Sequence, residues 1–242
     1  MERIISGCAT DKGMVRVKNQ DCIVCHTAET AQGKLTVACV CDGIGSFVYS
    51  EIAAQMITEG VSLWFQSAQD NRLQALSREE LVEDFDATLQ ELNQLVCERR
   101  KRERIDLGCT MSALMMINRN YYIFHVGDSR IYLVGETVRQ ITRDEVVMSE
   151  AYGVIKPRLA NYMGKGESLW INRLSGVLSG GEAFLLGSDG LFRMLEEREI
   201  CEKIGRLSTE RQVRRLCLEM IRTVEDRGER DNISCGIVKM KK

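Results

Sequence analysis

The chain has 242 residues, ten of them cysteine, and a formal net charge of −2 at pH 7. A charge this close to zero provides no basic surface for nucleic acid, so we expect no nucleic-acid partner. The sequence has no run of 18 apolar residues, and its first residues lack the pattern of a signal peptide. We therefore expect a cytoplasmic protein with no membrane partner.

No proline-rich, serine-rich or charge-block linker divides the chain, and we expect residues 1–242 to form a single domain. Most of the cysteines lie in apolar runs, which is typical of reduced core thiols. The alternative is a zinc site built from Cys22, Cys25, His26, Cys39 and Cys41, because Cys-x-x-Cys is a ligand spacing. Residues three apart on a strand point to opposite faces, which argues against a metal shared by Cys22 and Cys25.

The first half of the chain predicts three strands followed by two helices. The strands are at 3–9, 22–26 and 35–41, and the first helix covers 47–68. The second helix begins after a capping box formed by Ser77 and Glu80 and ends near residue 102. We interpret the basic run at its end as a complement to the helix dipole and predict no binding patch there.

The second half begins with strands at 111–117, 121–126, 130–134 and 137–141, which predict an antiparallel meander. Residues 143–168 contain the only proline and three glycines, and we expect an irregular surface segment. Further strands are predicted at 170–178, 183–187 and 233–240, with helices at 191–204 and 209–225. These elements favour an α+β fold with β-sheets in the middle layers.

Five acidic residues stand beside strands in this pattern: Asp21, Asp42, Asp128, Asp189 and Asp231. A single acid at a strand end is most often a solvated turn residue. If the five strands pack together, however, the carboxylates repel one another strongly unless cations neutralise them. Oxygen ligands favour magnesium or manganese over zinc or copper.

Seven short motifs occur in an order that resembles the bacterial type 2C metal-dependent protein serine/threonine phosphatases. They are Arg16-x-x-Asn19-Gln20-Asp21, Asp42-Gly43-Ile44-Gly45-Ser46, Gly108-Cys109-Thr110, Gly127-Asp128-Ser129-Arg130, Thr142-Arg143-Asp144, Ser188-Asp189-Gly190-Leu191 and Asp231-Asn232-Ile233-Ser234. The resemblance covers residues 16 to 238. It implies a central β-sandwich of two antiparallel sheets flanked by helix pairs.

The resemblance also implies a set of site residues. Asp42 would bridge two divalent cations, Mn or Mg, with Asp189 and Asp231 completing one of them. The Gly43 carbonyl would bind the second cation, and Asp21 would act through bound water. Asp144 would hold a weaker third metal together with Asp189. Arg16 would bind the substrate phosphate, and Asp128 is interpreted as a turn residue outside the catalytic set.

These assignments predict hydrolysis of phosphoserine and phosphothreonine in proteins by direct attack of a water that bridges the two metals. The expected partners are phosphorylated proteins, substrates of a bacterial serine/threonine kinase, and the expected state is a monomer. Three departures motivate an alternative, a catalytically weak pseudophosphatase that binds phosphoproteins or a regulatory partner. They are Ser46 in place of a second glycine, Glu145 in place of a histidine, and a short flap at about 143–168.

Overall fold

The structure is a computed structural model that describes residues 3–69, 71–151, 154–166 and 168–241. The strands are β1 (Ile4–Asp11), β2 (Cys22–Thr30), β3 (Gly33–Cys41), β4 (Met111–Ile117), β5 (Asn120–Val126), β6 (Arg130–Val134), β7 (Val138–Gln140), β8 (Val146–Ala151), β9 (Val154–Leu159), β10 (Asn172–Val177), β11 (Ala183–Gly187) and β12 (Ile233–Met240). The helices are α1 (Ser50–Ser67), α2 (Asn71–Gln74), α3 (Arg78–Glu103), α4 (Asp189–Phe192), α5 (Glu197–Gly205) and α6 (Glu210–Asp226).

Two antiparallel five-stranded sheets form the centre of the fold. One has the strand order β1-β12-β11-β6-β7, and the other has the order β10-β5-β4-β3-β2. Helices α1 and α3 pack on the second sheet, whereas α5 and α6 pack on the first. This arrangement is the predicted α+β sandwich flanked by helix pairs.

Burial on both faces explains why the central strands read as continuous apolar runs. On β3, Val37 and Cys39 face the helices, while Ala38 and Val40 face the opposite sheet. The inter-sheet layer also receives Phe184 from β11, which is fully buried. The two faces of each sheet therefore contribute to two different hydrophobic layers.

Helix α3 begins as its sequence predicts. The Ser77 hydroxyl accepts a hydrogen bond from the Glu80 amide, and the Glu80 carboxylate accepts one from the Ser77 amide. Strands β4, β6, β11 and β12 have the predicted bounds. The helix predicted at 191–204 is instead two helices, α4 and α5, separated by residues 193–196.

The predicted meander from 111 to 141 is wrong. Strands β4 and β5 pair in one sheet, whereas β6 and β7 pair in the other, so the chain changes sheets at residues 127–129. The glycine at 127 has φ of 103°, a conformation that favours glycine at such a reversal. This crossing lies close to the acidic residues at the strand ends.

The segment predicted to be irregular contains a hairpin. Strands β8 and β9 pair with each other in antiparallel register and join neither large sheet. Residues 152 and 153, between the two strands, lie outside the described residues. We refer to the β8–β9 hairpin as the flap.

Cys22 packs with the layer between helices and sheet, whereas Cys25 packs with the layer between the two sheets. This confirms that the two thiols point to opposite faces of β2. Burial raises the pKa of Cys25 to about 12, so this thiol stays protonated at neutral pH. In the described part of the chain, no helix is long and apolar enough to cross a membrane.

Candidate active site

Asp42 follows directly after β3, and its backbone is held on both sides. The Asp42 amide donates to the Thr110 hydroxyl at 3.0 Å, and the Thr110 amide donates to the Asp42 carbonyl at 2.8 Å. The next residue must be glycine, because a Cβ at Gly43 would lie 2.7 Å from the Gln20 carbonyl oxygen. The close packing of this loop fixes the direction in which the Asp42 carboxylate leaves the sheet.

Asp189 and Asp231 come from the neighbouring sheet. Asp189 is the first residue of α4, where the helix N-terminus favours a negative charge. Asp231 lies two residues before β12. The two loops pack so tightly that a Cβ at Gly190 would lie 2.3 Å from the Asn232 carbonyl oxygen, so only glycine fits there.

Arg16 lies on the loop between β1 and β2, and Asn232 fastens this loop to the sheet. The Asn232 amide group donates to the carbonyls of Lys12 and Lys18 and accepts from the Gln20 amide, at distances of 2.8 to 3.0 Å. The Arg16 guanidinium donates to the Asp231 carboxylate at 2.8 Å. Asn232 therefore positions the loop that carries the cleft's arginine.

These residues surround one cleft of about 130 Å³. It is lined by residues from seven separate segments, namely Arg16, Asp42, Gly43, Ile44, Gly45, Thr110, Asp128, Leu159, Asp189 and Asp231. Leu159 ends the flap, so the hairpin reaches the edge of the cleft. Asp21 is only 4% exposed and lies behind the cleft, where it accepts a hydrogen bond from the Ser234 hydroxyl at 2.9 Å.

Burial and the charges of neighbouring aspartates raise the pKa of several carboxylates in and behind the cleft. Burial raises the pKa of Asp42 well above its usual range, and the charges of the neighbouring aspartates raise it further. Burial likewise raises the pKa of Asp21 to about 7 and that of Asp128 to about 6. Asp231 differs: its burial is outweighed by hydrogen bonds from Arg16 and the Asn232 amide, which lower its pKa.

A second arginine, Arg193, neutralises the far side of the cleft. Its guanidinium hydrogen-bonds the Asp189 carboxylate and lies 3.6 Å from that of Asp231. It also binds Glu229 at 3.2 Å, whose side chain is 4% exposed. The Glu229 Oε2 atom has no hydrogen-bond partner among the described residues. Neither Arg193 nor Glu229 was predicted from the sequence to belong to the site, since neither lies at a strand end within a motif.

Asp128 lines the cleft and Asp144 does not, which reverses the roles expected for them. The Asp144 carboxylate is bound by Arg130, with contacts of 2.7 to 3.1 Å to its two oxygens, and by the Gln140 amide at 2.9 Å. It faces a separate cavity beside His125. The structure does not bring Asp144 into the cleft with Asp189, so its expected role as a metal ligand stays a prediction that this geometry does not support.

The donor set in the cleft suits a hard divalent cation, since it consists of carboxylate oxygens without sulfur or nitrogen ligands. Two of these carboxylates, Asp189 and Asp231, are bound by guanidinium groups. Among the residues that the structure describes, no three histidine, cysteine, aspartate or glutamate side chains form a group that could hold a metal ion. The carboxylates fit divalent cations by charge and donor type, although the described part of the fold does not gather three of them into a coordinating group and Arg16 and Arg193 lie against two of them.

The residues that depart from the expected pattern lie outside the carboxylate cluster. Ser46 is exposed on the loop after Gly45. Glu145 is a structural residue: its carboxylate accepts hydrogen bonds from the Gly127 amide at 2.9 Å and from Asn172 at 2.7 Å. Its carbonyl accepts from the Ala160 amide at 2.7 Å. Glu145 thus connects the end of β5 with the flap and with β10.

The chain is similar over most of its length to a known family and to known proteins. The protein phosphatase 2C family matches residues 16–235. "Protein phosphatase PhpP" of Streptococcus pneumoniae serotype 2 is 24% identical over 244 residues, covering 96% of this chain and 95% of that protein. "Serine/threonine phosphatase stp" of Listeria innocua is 27% identical, covering 95% and 93% of the two chains.

Solved structures share the fold. The S. agalactiae serine/threonine phosphatase superposes with a TM-score of 0.79 at 20% identity, covering 99% of this chain and all of that one. The catalytic domain of the serine/threonine protein phosphatase PstP, in complex with two manganese ions, has a TM-score of 0.77 at 21% identity and full coverage of both chains. At these identities, the likeness to solved structures concerns the fold alone.

Proposed function

Because the chain belongs to the protein phosphatase 2C family, we propose that it is a protein serine/threonine phosphatase and that the acidic cleft is its catalytic site. The observation that carries this proposal is the meeting of Asp42, Asp189 and Asp231 with Arg16 in one cleft. A phosphate monoester is a dianion, so a site that hydrolyses it needs cations beside such carboxylates.

We assign the cation ligands as follows. Asp42, Asp189, Asp231 and the Gly43 carbonyl would hold two divalent ions, Mn or Mg. Asp21, buried behind the cleft, would act through bound water. Asp128, which lines the cleft, would take the place expected for Asp144 and, with Asp189, hold a weaker third ion. Bound divalent cations supply positive charge for the phosphate and lower the pKa of an attacking water.

Arg16 is the group that binds the substrate phosphate. Its guanidinium lines the cleft and is partly exposed, with 39% of its side chain accessible. A planar guanidinium can donate to two phosphate oxygens at once, which holds phosphorus in a defined orientation. The contact with Asp231 keeps the Arg16 side chain in this position before substrate binds.

The proposed substrates are phosphoserine and phosphothreonine in proteins, placed there by a bacterial serine/threonine kinase. The names of the two relatives, a protein phosphatase and a serine/threonine phosphatase, support this substrate class. We also propose that residues 1–242 act as one catalytic domain and as a monomer in the cytoplasm. The pseudophosphatase alternative loses its main support, because Glu145 has a structural role in which a histidine is not required.

The assignment is tested by hydrolysis of a phosphothreonine peptide with manganese present. Asp189→Asn should abolish turnover, and Arg16→Ala should raise KM by about tenfold or more, since a charged hydrogen bond to phosphate is lost. Asp226→Asn, at the exposed end of α6, is the matched control and should behave as the wild type. Full activity of Asp189→Asn would rule out the proposed site.

A further inference from the structure

A groove far larger than the catalytic cleft runs beside it, with a volume of about 1100 Å³. One wall is the end of α3 and the residues after it, including Arg100, Lys101 and Arg104. The other wall is the segment after the flap, including Lys165 and Trp170. The sequence analysis predicted no binding patch at the basic end of α3. In the fold, the segment that contains Lys165 and Trp170 lies opposite the end of α3, and this proximity could not be predicted from the sequence pattern.

The two walls are fastened to each other by buried hydrogen bonds. Asn93 of α3 is fully buried, and its side chain accepts from the Gly164 amide at 2.8 Å and donates to the Gly166 carbonyl at 2.9 Å. Arg100 donates to the Gly164 carbonyl at 3.2 Å. These bonds hold the two walls of the groove in place relative to each other.

The groove adjoins the catalytic cleft. Leu159 lines the cleft, and the next residue, Ala160, lines the groove. Between them, Cys109 forms β-bridges to Gly43 of the cleft and to Met163, which precedes Gly164 of the groove wall. An extended peptide advances about 3.3 Å per residue, so residues close to a bound phosphoresidue can reach the groove.

The charge of the groove favours an acidic occupant. Its described lining contains four basic side chains, Arg100, Lys101, Arg104 and Lys165, and two acidic ones, Asp106 and Glu145. The Glu145 carboxylate is already bound by the Gly127 amide and Asn172, which reduces its effect on a ligand. Arg104 is exposed at the end of α3, where its guanidinium is accessible to a ligand carboxylate.

The groove also provides apolar contact. Trp170 is 68% exposed, which is unusual for so large an aromatic side chain, and Leu169 and Ile105 lie beside it in the lining. The indole is oriented by a hydrogen bond of 3.2 Å from its nitrogen to Asn172. Exposed tryptophan and arginine side chains are the residue types that most often dominate binding energy at protein interfaces.

We propose that this groove binds an acidic segment of the phosphoprotein substrate next to the phosphorylated residue, a proposal that rests on the proposed function. Arg104 and Lys165 contact carboxylates of that segment from the two walls, and Trp170 packs on an apolar side chain between them. The enzyme then selects phosphorylated sites with acidic neighbours, while the phosphate itself is bound in the cleft.

The test compares two phosphothreonine peptides of equal length that differ only in carrying Glu or Gln at the flanking positions. We expect the wild type to hydrolyse the Glu peptide with a higher kcat/KM, and this preference to fall as salt is added. Arg104→Glu and Lys165→Glu should each lower kcat/KM for the Glu peptide about three- to tenfold, which is the range for partly exposed charge pairs. Both variants should leave hydrolysis of p-nitrophenyl phosphate unchanged.

Arg102→Glu is the matched control. It makes the same charge change at the same end of α3, but Arg102 does not line the groove. Equal rates on the two peptides, or an equal loss in Arg102→Glu, would overturn the groove proposal while p-nitrophenyl phosphate hydrolysis still supports the phosphatase. If neither p-nitrophenyl phosphate nor either phosphothreonine peptide is hydrolysed, the proposed function fails. Peptide binding then tests the groove separately, because it requires no turnover. Fluorescence anisotropy of a labelled Glu peptide should show weaker binding in Arg104→Glu and Lys165→Glu but not in Arg102→Glu.

Discussion

Arg193 hydrogen-bonds the carboxylate of Asp189 four residues before it and, with its other terminal nitrogen, contacts Glu229 at 3.2 Å. One guanidinium thus holds a carboxylate of the cleft and a buried glutamate behind it. The burial of Asp189 raises its pKa, and the charge of Arg193 is the largest influence that opposes this rise. Arg193 is therefore a counter-ion to Asp189, and we propose that divalent cations replace it when they bind.

Arg193→Gln should therefore bind manganese more tightly, by about tenfold, since the competing charge is removed. The same variant should unfold at a lower temperature in EDTA, because Glu229 loses its charged partner. Titration calorimetry and thermal unfolding measure the two effects. Arg198→Gln, an exposed arginine of α5, is the control and should change neither quantity. An unchanged manganese affinity in Arg193→Gln would contradict the counter-ion role.

Asp128 and Asp144 should respond in opposite ways to replacement by asparagine. Asp144→Asn leaves Arg130 without its carboxylate and should lower the free energy of unfolding by about 1–3 kcal/mol. Asp128→Asn removes a charge that neighbouring aspartates repel, so metal-free stability at pH 8 should rise while turnover falls. Denaturant unfolding in EDTA measures the change in stability of each variant, and peptide hydrolysis with manganese measures the change in its activity. Loss of activity in Asp144→Asn without loss of stability would restore Asp144 as a ligand.

Asn232→Ala should weaken both stability and substrate binding. The three hydrogen bonds that tie the Arg16 loop to the sheet are lost, with an expected cost of about 1–3 kcal/mol in the free energy of unfolding. The freed loop should raise KM for a phosphopeptide more than it lowers kcat, because Arg16 binds phosphate. Asn120→Ala, which loses a single long bond of 3.4 Å in the β4–β5 turn, is the comparison and should keep its KM. A stable variant with normal KM would mean that Asn232 does not position Arg16.

The stability of the metal-free protein should depend on pH through Asp21. Its pKa rises from an ordinary value of 3.8 to about 7 in the fold, so the folded state binds the proton more tightly than the unfolded state. This contribution to stability is fully present below pH 4 and is lost as pH rises through 7. In EDTA, the loss of stability between pH 5 and 8 should be smaller in Asp21→Asn than in the wild type. If the stability of the two proteins depends on pH in the same way, the raised pKa of Asp21 is contradicted.

The strands of the core could be predicted from the sequence because burial on both faces produces continuous apolar runs, as on β4 and β11. The flap could not, because the described side chains of its hairpin form no buried face. Val147, Met148 and Ile155 are all more than half exposed, so the alternation that marks a strand on a core is missing. The proline at 157 and nearby glycines then favoured an irregular segment.

Most of the site could also be predicted, since Asp42, Asp189 and Asp231 follow or precede buried strands in recognisable motifs. The placement of Asp128 in the cleft and of Asp144 outside it could not, because it depends on which carboxylate Arg130 reaches in three dimensions. Arg193 and the groove beside α3 are missed for the same reason. Their roles arise from elements that are distant in sequence and that only the folded chain brings together.

The most direct test of the account is the hydrolysis rate of a phosphothreonine peptide by the wild type and by Asp42→Asn, each with and without millimolar manganese. The account predicts turnover by the wild type only when metal is present and none by Asp42→Asn, although both proteins fold. Metal-independent turnover by the wild type, or turnover by Asp42→Asn at the wild-type rate, would contradict a metal-dependent phosphatase site centred on Asp42.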